Sequence, residues 1–260
     1  MLAGMGSKPL EIKGVLKDTS RVYQSLFRRS VLTGFIVFAL LGLIELIAEV
    51  THNATVALVF GMLAIATGFV GTTFVQGALV DAVDSEHRGV AVPSVGDLYR
   101  SSWRRLGSLV WLSIMTGVAV TLGCVLFLVP GVLLAIRWTV AAPIVMLEGL
   151  GARAAMRRSA ELVRGHRGPV FRVLLNVWGR TVVAGTVLYL ILGKLSATTG
   201  HPILSFWISG ALASALVTPY AGHAFSVVYY RLTDPGRPVL AEEHAQAWHS
   251  IWREPESTEL

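Results

Sequence analysis

Six long apolar runs alternate with short polar stretches along the chain, at residues 31–50, 56–80, 106–128, 132–147, 170–192 and 203–228. A helix needs about 20 apolar residues to cross a bilayer, so each run predicts a spanning helix, the fourth being short. The third and fourth runs are joined by LVPG at 128–131, where Pro and Gly supply the turn of a tight helical hairpin. Pro219 predicts a local kink in the sixth. The pattern changes just before the first, third and fifth runs. In 15–29, Val15, Leu16, Val22, Tyr23, Leu26 and Phe27 fall at helical spacing, and the segment ends in YQSLFRR. In 95–106, Val95, Leu98, Tyr99, Ser102, Trp103 and Leu106 repeat that spacing around YRSSWRR, with Ser94 and Asp97 placed as a capping box. A third amphipathic stretch, ARAAMRRSAELVRGHRG, occupies 152–168.

The expected fold is an all-α integral membrane protein. It has six transmembrane helices arranged as three hairpins, each preceded by a cytoplasmic interfacial amphipathic helix. The three units enter from the same side, as parallel internal repeats. Residues 1–232 would form the membrane domain and 233–260 a cytoplasmic tail. Amphipathic helices of this kind lie apolar face down in the interface with their Arg residues toward anionic headgroups. Arg28, Arg29, Arg104, Arg105, Arg157 and Arg158 are the expected headgroup contacts, joined by Arg172, which snorkels from one turn inside the fifth run.

Composition points the same way. Of the 260 residues, 53% are hydrophobic and only 15% charged, where a soluble domain carries about 25% charged residues. The net charge of +6 does not point to nucleic acid, because the basic residues sit between apolar runs rather than in a soluble basic domain. Lys8, Lys13, Lys17, Arg21, Arg88, Arg100, Arg153, Arg164, Arg167, Arg231, Arg237 and Arg253 lie on the same side as the Arg residues named above, and Lys194 alone lies opposite. By the positive-inside rule both termini are cytoplasmic, in a multi-pass protein of a bacterial-type plasma (inner) membrane. The polar start lacks an apolar h-region, so no cleavable signal peptide is expected. Cys124 is the single cysteine, which excludes an intrachain disulfide and a thiol-rich metal site.

Charges inside spans are the candidates for chemistry, because each is costly unless paired or hydrated. At ~1.5 Å per residue, Arg137 lies about 10 Å from the outer face, Arg180 about 18 Å from the inner face and Glu45 about 21 Å from the inner end of the first span. All three fall in one outer-half layer. Together they could bind an anion or lipid phosphate with the surplus positive charge. The alternative is a structural Arg–Glu bridge plus a snorkelling Arg. His223 reads as a hydrogen-bonded core histidine, and Asp81, Asp84 and Glu86 as caps or partners of nearby basic residues. The sequence contains no phosphate-binding Gly loop, HExxH or nucleophile elbow. No cofactor, metal or catalytic residue is therefore expected. Trp248 and Trp252 share a face of the tail that could touch the membrane or a protein partner.

The stretch RWTVAAPIVMLEGLGARAAMRRSAELVRGHRG at 137–168 resembles the membrane domain of the glycerophosphoryl diester phosphodiesterase family. Trp138, Pro143, Glu148, Gly149, Ala155, Arg158, Ser159, Leu162 and Gly165 carry the likeness, with VVYYRL at 227–232 matching the usual end of the last span. Some members of that family append a catalytic barrel, which needs about 250 residues. Only a short tail follows Leu232, and the HRG triplets at 87–89 and 166–168 are not followed by Pro-Glu-Asn. The resemblance therefore implies a membrane domain without the hydrolase. The functional expectation is a non-catalytic scaffold or accessory subunit that binds membrane lipids or, through the cytoplasmic helices or tail, a protein partner. The alternative is a transport-related permease-like or lipid-transport role using the Arg cluster.

Overall fold

The computed structural model describes residues 12–51, 53–197, 202–235 and 239, and Trp248 and Trp252 lie outside them. Nine helices are present among these residues: α1 (Ile12–Ser25), α2 (Phe27–Val50), α3 (Ala54–Arg88), α4 (Val95–Leu126), α5 (Leu128–Arg137), α6 (Ala141–Leu147), α7 (Ala152–Leu162), α8 (Arg167–Ala197) and α9 (Pro202–Thr233). There is no strand among them. Six segments are long and apolar enough to cross a membrane, with α5 and α6 together making the fourth. The protein is an all-α membrane protein, as the apolar runs predict. Below, the terminal face is the end of the bundle that carries α1, α7 and the C-terminal end of α9.

α9 is the central helix, packing on α1, α2, α3, α6 and α8. Small residues allow close approach, as a Cβ on Gly34 of α2 would stand 3.2 Å from the Ala215 Cα of α9. Three consecutive residues at the C-terminal end of α9 each hold a different element. Tyr229 donates to Glu148 Oε1 at the end of α6 (3.1 Å), Tyr230 to Asp84 Oδ1 of α3 (2.6 Å), and Arg231 Nε to Asp18 Oδ2 of α1 (3.1 Å). Successive helical side chains are about 100° apart, so three adjacent residues fan out toward three neighbours. Arg158 and Arg88 complete the Glu148 and Asp84 sites as second partners.

The amphipathic segments differ from expectation in where their apolar faces point. Val15 and Val22 of α1 and Ala155 of α7 are 0–1% exposed within one hydrophobic core, and Ser159 of α7 is equally buried. These faces cover the end of the bundle rather than lying on lipid. The segment 95–106 is not a separate helix but the first turns of α4, which runs unbroken to Leu126. The side-by-side extensions of α3 and α4 explain this continuity. Ser101 donates to Asp81, Tyr99 packs on Phe74 at 5.2 Å, and Trp103 meets Phe74 edge-on at 6.4 Å.

The hairpin between α4 and α5 turns through one extended residue, Phe127, whose N–H donates to Gly123 O. A Cβ on Gly123 would stand 2.8 Å from the Gly131 Cα, and one on Gly131 would overlap Cys124, so both glycines are required by the crossing.

Replacing Tyr230 or Tyr229 by Phe removes one donor from a carboxylate that keeps an Arg partner. Each change should lower stability by about 1–3 kcal/mol, and the double variant more, in unfolding titrations of the detergent-solubilised protein. Unchanged stability in all three variants would mean that the phenols hold nothing in place.

Candidate functional site

The fourth span is broken at Trp138, Thr139 and Val140, which separate α5 from α6. Pro143 accounts for the break. Proline has no N–H to offer Thr139 O, and its ring crowds that carbonyl, so it is tolerated only in the first turn of a new helix. Ala141 N bonds Trp138 O instead of Arg137 O, which leaves the Arg137 carbonyl without a helical partner. Ser159 of α7, fully buried, donates to that carbonyl at 2.8 Å. Thr139 turns its own hydroxyl back onto Ala135 O and Ile136 O, at 2.9 and 3.0 Å. In hydrocarbon an unsatisfied carbonyl costs several kcal/mol, so the break persists because these two hydroxyls serve it.

The same block ends in a tight turn. Gly149 has φ +72°, in the left-handed region, and the Arg105 guanidinium lies where a side chain there would begin, 3.0 Å away. Glu148, one residue earlier, accepts from Tyr229 and pairs with Arg158 Nε at 3.5 Å. Pro143, Glu148, Gly149, Arg158 and Ser159 therefore work together to fix α6 and α7 against α4 and α9.

Residues 112–231 match the family model of the membrane domain of glycerophosphoryl diester phosphodiesterase. The resemblance carried by 137–168 and by the end of α9 is borne out over this part of the chain, a little under half of it. A UPF0259 membrane protein of Pectobacterium carotovorum subsp. carotovorum (strain PC1) is 27% identical over 179 residues, 67% of this chain and 66% of the relative. No solved structure matches. No catalytic domain is evident in the matched membrane domain or in that relative's printed name. Among the described residues no three His, Cys, Asp or Glu side chains gather as metal ligands would. His87 of the first HRG triplet stacks on Tyr230 at 3.9 Å and approaches Val239 O at 3.0 Å, a packing role.

Inside the matched region, the broken span walls an open groove of about 430 Å³. Leu112 and Val120 of α4 form one side, Trp138 and Ala142 at the break another, and Phe171 and Trp178 of α8 the third. Trp178 is 60% exposed, so the groove opens sideways to the bilayer. Phe171 to Trp178 lie about 6–17 Å along α8 from its start, which places the groove in the terminal-side half of the membrane. A second hollow of about 460 Å³ shares Ser113 and Gly117 and continues to Phe69. The polar lining of the groove is sparse. Thr116 donates to Leu112 O and Ser113 O of its own helix, and the Ser113 oxygen accepts from Thr73 at 3.3 Å. Gln76 of α3 also lines the groove.

The intramembrane charges are distributed differently. Arg137 ends α5 at the break, its side chain exposed and its carbonyl held by a helix of the terminal face. Arg180 is exposed on α8 and donates to the Tyr220 hydroxyl of α9 at 3.2 Å. The two Arg residues are joined by no common partner among the described residues. Glu45 belongs to α2, which packs mainly on α3 and α9, whereas α5 packs on α4 and α8; the Glu45 side chain lies outside the described residues. His223 is fully buried with Nε2 2.9 Å from Ser30 Oγ, the core-histidine arrangement.

The seven expected headgroup residues divide in two. Arg29 reaches the carbonyls of Val92 and Pro93, Arg105 lies on Gly149, and Arg158 pairs with Glu148. The side chains of Arg28, Arg104, Arg157 and Arg172 are exposed and make no hydrogen bond or ion pair among the described residues. Sequence reasoning passed over Gln76 and the groove. The available signal was an uncharged amide inside the apolar run 56–80, five residues before Asp81.

Ser159→Ala should destabilise the protein by about 1–3 kcal/mol, since it strands a buried carbonyl. Arg157→Ala, an exposed change on the same helix, should leave the unfolding midpoint in detergent within error. Equal midpoints for both variants would mean that the break does not depend on the serine.

Proposed function

We propose that this protein is a non-catalytic membrane scaffold or accessory protein that binds a membrane lipid. An acyl chain occupies the groove between α4 and α8, and the exposed Arg residues of the terminal face hold an anionic headgroup. The observation that carries this reading is the open, mostly apolar groove in the terminal-side half of the membrane. Arg172 directly follows Phe171 of its wall. A groove that opens to lipid and is lined by Leu, Val, Trp and Phe fills with hydrocarbon, because leaving it empty forfeits dispersion contacts. The Lys and Arg distribution supports a cytoplasmic terminal face in a bacterial-type inner membrane. The headgroup would then belong to the cytoplasmic leaflet, whose anionic lipids attract exposed basic residues at about 1 kcal/mol each.

Transport of a lipid or another anionic substrate is a second reading, supported by the broken fourth span. Discontinuous helices line the substrate sites of many transporters, and here the break at 138–140 lines the groove. Arg137 and Arg180, separately placed, would then act as successive contacts rather than as one cluster.

Native mass spectrometry of the protein released gently from its membrane tests the lipid-binding reading. A Cβ at Gly117 would meet nothing within 4 Å, so Gly117→Phe fills the groove without disturbing the packing around it. The wild type should retain an anionic phospholipid and Gly117→Phe should lose it at an unchanged unfolding midpoint. Retention of a stoichiometric partner protein with no lipid would instead make the accessory role one of protein contact. Lipid retained equally by both proteins would remove the groove from the mechanism.

A further inference from the structure

Gln76 is the lining residue of the groove that carries a carboxamide, and that group has no hydrogen-bond partner among the described residues. A carboxamide offers two donor hydrogens and an accepting oxygen. The hydroxyls beside it are already engaged, Thr116 and Thr139 with carbonyls of their own helices and Ser113 with Thr73. A polar group left unpaired against hydrocarbon is unfavourable, so the position calls for a partner that the bilayer itself can supply.

Depth identifies that partner. Gln76 lies about 33 Å along α3 from its start at Ala54, so a hydrocarbon core of about 30 Å that begins near Val56 ends at this residue. Five residues further, Asp81 accepts from Ser101, in the layer where α3 and α4 carry charged side chains. The edge of the hydrocarbon core, just below the headgroups, is where the ester carbonyls of a glycerolipid lie. Those carbonyls accept hydrogen bonds and do not donate, and the unused capacity of Gln76 includes two donors.

The geometry points to Gln76 as the residue that recognises the ester carbonyl of a glycerolipid seated in the groove, an assignment that rests on the lipid-binding reading above. The amide sets the register of the lipid along the groove. Its acyl chain then runs past Thr116 and Trp178, and its headgroup lies at the level of Arg172 and Arg104. An ether lipid would fill the same apolar space without this bond.

The test uses the delipidated full-length protein with an equimolar mixture of dioleoyl phosphatidylglycerol and its dialkyl ether counterpart, which has the same headgroup but no ester carbonyl. Native mass spectrometry reads the ratio retained. The wild type should prefer the ester lipid about two- to tenfold, the range expected for one net hydrogen bond. Gln76→Leu and the unbranched Gln76→Met should both reduce that ratio to one while still retaining lipid. A wild type that binds both lipids equally, or a preference that survives in both variants, overturns the assignment. Gly117→Phe separates this failure from failure of the groove reading. If it abolishes retention of both lipids while the wild type shows no preference, the groove binds lipid and Gln76 is not its reader. If it retains both lipids like the wild type, the groove itself is not the site, and the Gln76 assignment falls with it.

Discussion

The contacts at the C-terminal end of α9 are the constraint on which the rest of the structure depends. Tyr229, Tyr230 and Arg231 follow one another in sequence and reach Glu148, Asp84 and Asp18, which belong to three different parts of the chain. Between lipid-bathed helices there is little hydrophobic driving force, so packing and hydrogen bonds must specify which helices meet. Here the specification is concentrated at one end. Phenol-to-carboxylate bonds are charge-assisted and among the stronger kinds. They lie at the terminal face, where the carboxylates remain ionised more cheaply than they would deeper in the membrane. Two of the three carboxylates have a second Arg partner, Glu148 in Arg158 of α7 and Asp84 in Arg88 of its own helix, so the join ties α7 to α9 and stiffens the end of α3.

Fixing Glu148 has a consequence one span away. With the end of α6 held by Tyr229 and Arg158, α7 folds back so that Ser159 lies over the break made by Pro143. The break that the proline imposes frees the Arg137 carbonyl, and here the amphipathic helix supplies a donor to it. Trp138 and Ala142 face the space between α4 and α8 instead of closing it. The sequence block that carries the family resemblance is thus a mechanical unit: a helix breaker, a cap for the freed carbonyl, a left-handed glycine and an acid that joins them to the central helix. Its proline, acid, glycine and serine stabilise the wall of the groove, and of the residues that carry the resemblance Trp138 lines it.

Much of this architecture is legible from apolar run lengths alone. The six spans, a tight hairpin between the third and fourth, and the helical character of 15–29 and 152–162 follow from periodicity, but LVPG is not the turn: it forms the first turn of α5, and the chain reverses at Phe127. What an amphipathic face packs against does not follow. A stripe such as Val15, Val22 and Leu26 has the same spacing whether it meets lipid or the end of a bundle, and α1 and α7 meet the bundle. Counting residues estimates depth but not direction around a helix. Arg137 and Arg180 can be given similar depths, yet they end on different surfaces with different neighbours. Gln76 escapes notice for another reason. A search for costly charges passes over a neutral amide, although an unpaired amide at the edge of hydrocarbon carries nearly as clear a demand for a partner.

The distribution of contacts also explains why the groove is where it is. α4 and α5 form one rigid pair, locked by the crossing of Gly123 and Gly131, and the apolar residues at their tip, Val125 to Val129, are exposed. The pair is joined to the rest of the protein mainly through α3, α6 and α7, toward the terminal face, and only lightly to α8. α8 in turn leans on α9. Two bodies therefore stand side by side, joined at one end by the carboxylate sites and separated along their length by the groove. Anything that fills the groove adds contact where the protein itself has least. By mass action an occupant that binds only the folded protein stabilises it according to its own affinity and concentration. The clamp at the terminal face and the opening beside it are thus two results of one arrangement, in which specificity of folding is gathered at the polar end and the apolar length is left available to the bilayer.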